Sequence, residues 1–173
     1  FSLRAAIAIR SPAVISETEP SSSLSPGEPA SLRDLIRPSS NSQMIYQLRP
    51  ELDVNFIRVR VQTNQAGWRE EDIRQAKPPN TIRIIGIGDS VMFGWGVAVE
   101  HRYMDLLEGI LNHQHSDVRW ETLVLAAPGY NLAMQLEALR VYGLPYEPDL
   151  IVYGFVANDL CLPNFIGRER SLF

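Results

Sequence analysis

Three strand-length runs constrain this chain more than any other feature: 82–87, 119–127 and 150–156. Each ends in residues that stop a strand: Gly88-Asp89-Ser90, Pro128-Gly129 and Asn158-Asp159. Between the first two, Tyr103, Leu106, Leu107, Ile110 and Leu111 recur at helical spacing and predict one apolar stripe. Between the second and third, Leu132, Leu136 and Leu139 form another stripe. Asn131 is placed to cap that helix and Gly143 to stop it. Apolar strands alternating with amphipathic helices argue for an α/β fold with a parallel sheet and crossover helices. Three strands are few, since such sheets commonly have about five or six. An apolar sheet edge is therefore expected to stay exposed, leaving the chain marginally stable or prone to aggregate.

The end of the first run is the most unusual local sequence. Four glycines (86, 88, 94 and 96) fall within eleven positions around Asp89-Ser90. A buried strand here ends on a serine in a tight turn, at the sheet edge where open α/β folds bind ligands. The second run delivers Gly129 to the same edge and the third delivers Asn158. A hydroxyl, a backbone N–H free of any Cβ and a side-chain amide donor are what acyl transfer needs.

Composition narrows the partners. A net charge of −4 gives no basic footprint for nucleic acid. One cysteine excludes an internal disulfide framework. No apolar run approaches the roughly 20 residues of a membrane span. The chain starts at Phe1, not Met, and ends at Ser171-Leu172-Phe173 without a closing element. It reads as a fragment at both ends, with room for a signal or anchor segment before Phe1 and thus an extracytoplasmic or membrane-anchored setting.

Ahead of the α/β part, residues 1–10 are weakly apolar, and 11–40 are dense in Ser and Pro. Residues 1–43 read as a flexible linker with room for one helical turn at 30–36. Residues 44–80 read as a small β extension. Asp53 to Phe56 and Ile57 to Gln62 both alternate apolar and polar, with a parity shift between Phe56 and Ile57 that suggests a bulge. Lys77-Pro78-Pro79-Asn80 marks the boundary.

The ordered set Gly88-Asp89-Ser90, Gly129 and Asn158-Asp159, each after a strand, resembles the SGNH hydrolase family, also called GDSL esterases and lipases. The resemblance spans about residues 81–160, and a looser one covers Tyr46 to Pro50, Thr63-Asn64 and Gly67 to Arg69. It implies a partial three-layer α/β/α, flavodoxin-like domain over 81–173 and a Ser–His–Asp ester hydrolase. Ser90 would be the nucleophile. Its own N–H, the Gly129 N–H and the Asn158 amide would form the oxyanion hole. No cofactor and no metal are implied, and the partner would be an acyl or acetyl ester of a small molecule, carbohydrate or lipid.

The family's Asp-x-x-His does not follow Asn158, where no histidine occurs at all. Ala157 also replaces a glycine often found before the family's Asn-Asp. A serine without a base is a poor nucleophile. The histidine is expected beyond Phe173, and the chain as given is expected to be nearly inactive. Alternatives are an O-acyltransferase acting on a carbohydrate and a non-catalytic SGNH-like binding module. A nucleotide-binding domain fits poorly: G-x-G-x-x-G would need glycine where Val91 stands, and no Gly-Lys-Ser/Thr occurs. Asp89 and Asp159 read as turn or capping residues, and His101, His113 and His115 as solvated side chains. Cys161 reads as a half-buried structural thiol. Phe93 and Trp95 either line a pocket or pack under the first helix.

Overall fold

The computed structural model describes residues 26–72 and 74–161. The readings of 1–25 and of 162–173 lie outside these residues. In chain order the lead-in carries β1 (Glu28–Pro29), the one-turn helix α1 (Leu32–Leu35), β2 (Ile36–Pro38), β3 (Tyr46–Leu48), β4 (Asp53–Phe56) and β5 (Val59–Gln62). β2 pairs antiparallel with β3; β4 and β5 form an antiparallel hairpin, and β1 joins β4 in parallel.

The linker reading therefore fails over 28–43. Leu35 and Met44 are fully buried, and the Arg49 N–H donates to the Leu35 carbonyl at 2.7 Å. Serine and proline dilute this segment, but Leu32, Leu35 and Ile36 are apolar enough to anchor it. The expected bulge is instead a two-residue hairpin turn. Ile57 and Arg58 both sit in the left-handed region, at φ 48° and 67°. Two residues with positive φ are what a tight turn needs to match the twist of its strands, and they restart the alternation out of phase.

The α/β part follows as β6 (Thr81–Gly88), α2 (Ser90–Phe93), α3 (Tyr103–Gln114), β7 (Arg119–Ala126), α4 (Leu132–Ala138) and β8 (Leu150–Gly154). These strands form one parallel sheet in the order β7-β6-β8. The chain is thus a mixed α/β protein with a parallel sheet. β6 is central, and Ile84, Ile85 and Ile87 on it are buried. Arg83 on the same strand is fully buried. It is tolerable there because Glu121 lies 2.7 Å away and the carbonyls of Arg74, Gln75 and Tyr146 take its remaining donors.

The helical stripes are narrower than their spacing suggested. On α3, Met104 is buried and Leu107 and Leu111 pack against the core, while Tyr103, Leu106 and Ile110 stay exposed. On α4, Asn131 caps as expected, its Oδ1 accepting from the Met134 N–H at 3.1 Å. Met134 and Ala138 face the core, but Leu136 is exposed. Gly143 does not end the helix. The chain widens into a π turn at Leu139–Gly143, tightens at Leu144–Tyr146 and stops at Glu147, which takes φ 54°. Gly143 is needed for closeness instead, since a Cβ there would meet Leu139 Cδ1 at 2.8 Å.

β8 is apolar throughout, yet Leu150, Ile151 and Tyr153 are exposed. It is the last strand in the sheet order, and no described strand lies beyond it. Among the described residues, no helix is long and apolar enough to cross a membrane.

Candidate active site

The site starts from a close approach. Gly88 ends β6, and a Cβ on it would sit 2.5 Å from Met92 Cβ; one on Gly86 would meet Met92 Sδ at 2.8 Å. The two glycines therefore let α2 fold back tightly onto its own strand. Asp89 caps that turn, its Oδ1 accepting from the Val91 N–H at 2.9 Å. Ser90 is the first residue of α2, so its N–H is one of the amides that has no partner within a helix. Gly94 closes the turn at φ 81°.

β7 leads to a second turn, Ala127 to Tyr130. The Tyr130 N–H donates to the Ala127 carbonyl at 3.2 Å, and Gly129 has φ 81°. Proline at the second position and a positive φ at the third make this a type II turn, which glycine alone adopts without strain. The Pro128 carbonyl and the Gly129 N–H belong to one trans peptide and point in opposite directions. The Tyr46 hydroxyl donates to that carbonyl at 2.6 Å, and the Tyr130 hydroxyl donates back to the Tyr46 carbonyl at 3.0 Å. Burial pushes both phenols far above their ordinary range, so each stays a donor. Tyr46 thereby orients the Gly129 N–H to the side away from itself.

β8 leads to the third turn, Ala157–Leu160. Asn158 Nδ2 donates to Asp89 Oδ2 at 3.0 Å, tying this turn to the serine turn across the sheet edge. An amide nitrogen carries two protons, so one remains for another acceptor. Asp159 is structural. It is buried and accepts from the Val156 N–H, Gln135 Nε2 and the Tyr153 hydroxyl.

The structure brings the three expected residues together. Ser90, Gly129 and Asn158 line one open depression of about 380 Å³, with Leu32, Asp89, Val91, Trp95 and Pro128 completing its wall. It lies at the carboxyl ends of the parallel strands, where the strand order turns back from β7-β6 to β8. Ligands in open α/β sheets bind at such a reversal. The residues of this wall carry three candidate donors: the Ser90 N–H, the Gly129 N–H and the second proton of Asn158.

Proton acceptance is less well served. Ser90 Oγ lies 3.4 Å from Asp89 Oδ2, too long for a strong O–H···O bond. That carboxylate is already held by Val91 and Asn158. No histidine lines the depression. His101 lies in the Val99–His101 turn, His113 in the last turn of α3, and His115 caps α3 and packs against Trp120. Among the described residues no cluster of histidine, cysteine or carboxylate could hold a metal. Among the described residues, the wall of a smaller cavity of about 250 Å³ between Trp68 and Tyr142 holds no carboxylate or histidine.

Two readings change. Cys161 is exposed, not half-buried, because it follows the last turn at the open side of β8. The aromatic pair divides: Phe93 is buried, with the Arg69 guanidinium 5.2 Å from its ring centre, whereas Trp95 lines the depression. Tyr46 and Arg69 fell only within the looser resemblance, with no role given to either, and Leu32 was not singled out. Arg69, buried, donates to the carbonyls of Phe93, Gly94 and Val97 and braces the loop after Ser90. Burial first, and Arg102 nearby second, lower its pKa to about 10. The one available signal was an arginine beside Trp68 in an otherwise turn-like segment. Compared with protein-family models, curated proteins and solved structures, the chain matches none.

Proposed function

We propose that this chain carries the nucleophile and oxyanion-hole half of a serine ester hydrolase of the SGNH type. Ser90 attacks the ester carbonyl. The Ser90 N–H, the Gly129 N–H and the Asn158 amide receive the oxygen as it becomes negative. Asp89 sets the positions of Ser90 and Asn158 and moves no proton. The observation that carries this reading is the Asn158–Asp89 hydrogen bond at 3.0 Å, which holds an amide donor beside a serine at the mouth of its turn. Preorganised donors of this kind are the largest single term in many acyl transfers. The sheet order β7-β6-β8, read as second, first and third strand, is the flavodoxin-like order and supports a three-layer α/β/α domain.

The reading requires a base from outside the described residues. Free imidazole supplies one. Hydrolysis of 4-nitrophenyl acetate should rise with imidazole, saturably, in the unaltered protein above a Ser90→Ala background. Equal rates for the two proteins at every imidazole concentration would sink the proposal.

A further inference from the structure

Trp95 is the one aromatic side chain among the described residues that line the depression, and it is 42% exposed. An exposed indole on a mobile loop would need no explanation. This one sits in a fixed setting. Gly94 and Gly96, at φ 81° and 70°, flank it and turn the chain so that the residue between them sits at the rim. Its backbone N–H donates to the Ser90 carbonyl at 3.0 Å. Phe56 of the lead-in hairpin meets its ring edge-to-face, with centroids 4.8 Å apart and planes at 85°. Arg69 fastens the carbonyls of Phe93, Gly94 and Val97 on either side.

We propose that Trp95 is a stacking platform for a pyranose ring, and that the ester cleaved at Ser90 is an O-acetylated carbohydrate. This rests on the hydrolase reading for the position of the ester carbonyl. A sugar has one face of C–H groups and a rim of hydroxyls, which suits an amphipathic indole beside polar donors. The polar half of the wall (Ser90, Gly129 and Asn158) lies against the acyl carbon, and Trp95 takes the alcohol side. A long acyl chain has no place to go. The depression is open, and apart from Trp95 its apolar side chains are Leu32, Val91 and Pro128. Methylenes left in water gain nothing from burial, so length beyond acetyl adds little to binding.

The test measures binding by Ser90→Ala protein, which cannot turn over the ligand. The probes are methyl xyloside triacetate, ethyl acetate and ethyl octanoate, followed through the backbone N–H resonance of Gly129, which lines the same depression and is kept in every variant. The triacetate should shift it saturably, and more tightly than either simple ester. Trp95→Leu should weaken binding about tenfold or more, whereas Trp95→Phe, which keeps a ring against Phe56, should weaken it less. Unchanged binding in Trp95→Leu, tighter binding of ethyl octanoate, or no saturable shift would each overturn the proposal. Ser90-dependent hydrolysis is scored separately. Sugar binding can fail while turnover of 4-nitrophenyl acetate persists, and the reverse result would remove the hydrolase reading alone.

Discussion

The Tyr46 hydroxyl and the Pro128 carbonyl are 2.6 Å apart, although 82 residues separate them in the chain. The lead-in thus holds the peptide whose other end is the Gly129 N–H. Tyr46→Phe leaves a buried carbonyl without its donor, at a cost of about 1–3 kcal/mol. The expected signature is faster hydrogen exchange at Gly129 than at neighbouring turn amides. Imidazole-supported turnover should fall in kcat with KM little changed. Loss confined to global stability, with Gly129 exchange and kcat unaltered, would count against a positioning role.

Gly86 and Gly88 both face Met92 but differ in what they touch. A Cβ on Gly86 meets the Met92 sulfur, whereas one on Gly88 meets Met92 Cβ itself. Each alanine should overpack this contact and cost about 1–3 kcal/mol. Shortening Met92 to alanine should recover much of the loss for Gly86→Ala and little for Gly88→Ala. Denaturant unfolding of the single and double variants checks this, and equal rescue would contradict the geometry.

The hairpin turn holds a β-branched residue, Ile57, and Arg58 in the left-handed region. Each such residue costs about 1–2 kcal/mol relative to the right-handed alternative, and asparagine or glycine relieves it. Replacing Ile57-Arg58 by Asn-Gly should raise the unfolding midpoint. An unchanged or lower midpoint would mean that the left-handed turn at Ile57-Arg58 carries no net strain.

Glu70 sets a pH dependence. Burial raises its carboxyl from 4.5 to about 7, even though Arg102 sits 2.7 Å away and pulls it down. The folded state then holds a proton more tightly than the unfolded chain does. This contribution to stability is full below pH 4.5 and is lost as pH rises through about 7. Glu70→Gln should flatten that decline, as read from urea midpoints across the interval. An identical slope in the variant would exclude Glu70 as its source.

The strand ends were legible because their punctuation is local: a few residues at 88–90, 128–129 and 158–159 declare themselves without reference to partners. The lead-in was legible only in part. Alternation over 53–62 marked the hairpin strands β4 and β5, whereas β1, β2 and β3 are two or three residues long, too short for alternation to be read, and are held by distant contacts. Tyr46 meets Pro128, and Arg69 meets Gly94, through hydrogen bonds that leave no periodic trace. The helix stop misread at Gly143 has a similar cause. Glycine there answers to the crowding of Leu125 and Leu139, not to a left-handed turn.

The two sides of the sheet are finished differently. Along β7 the outward N–H groups of Trp120, Thr122 and Val124 are taken by Asn112, Glu108 and Glu70. That border is sealed by side chains and has no vacancy for another strand. β8 has no such seal among the described residues. The sheet therefore has a direction of growth. A strand joining it must enter beside β8, and if it runs parallel its carboxyl end arrives next to Asn158. The open border and the chemical edge meet at one corner, so a strand added there would end beside the depression that Ser90 lines.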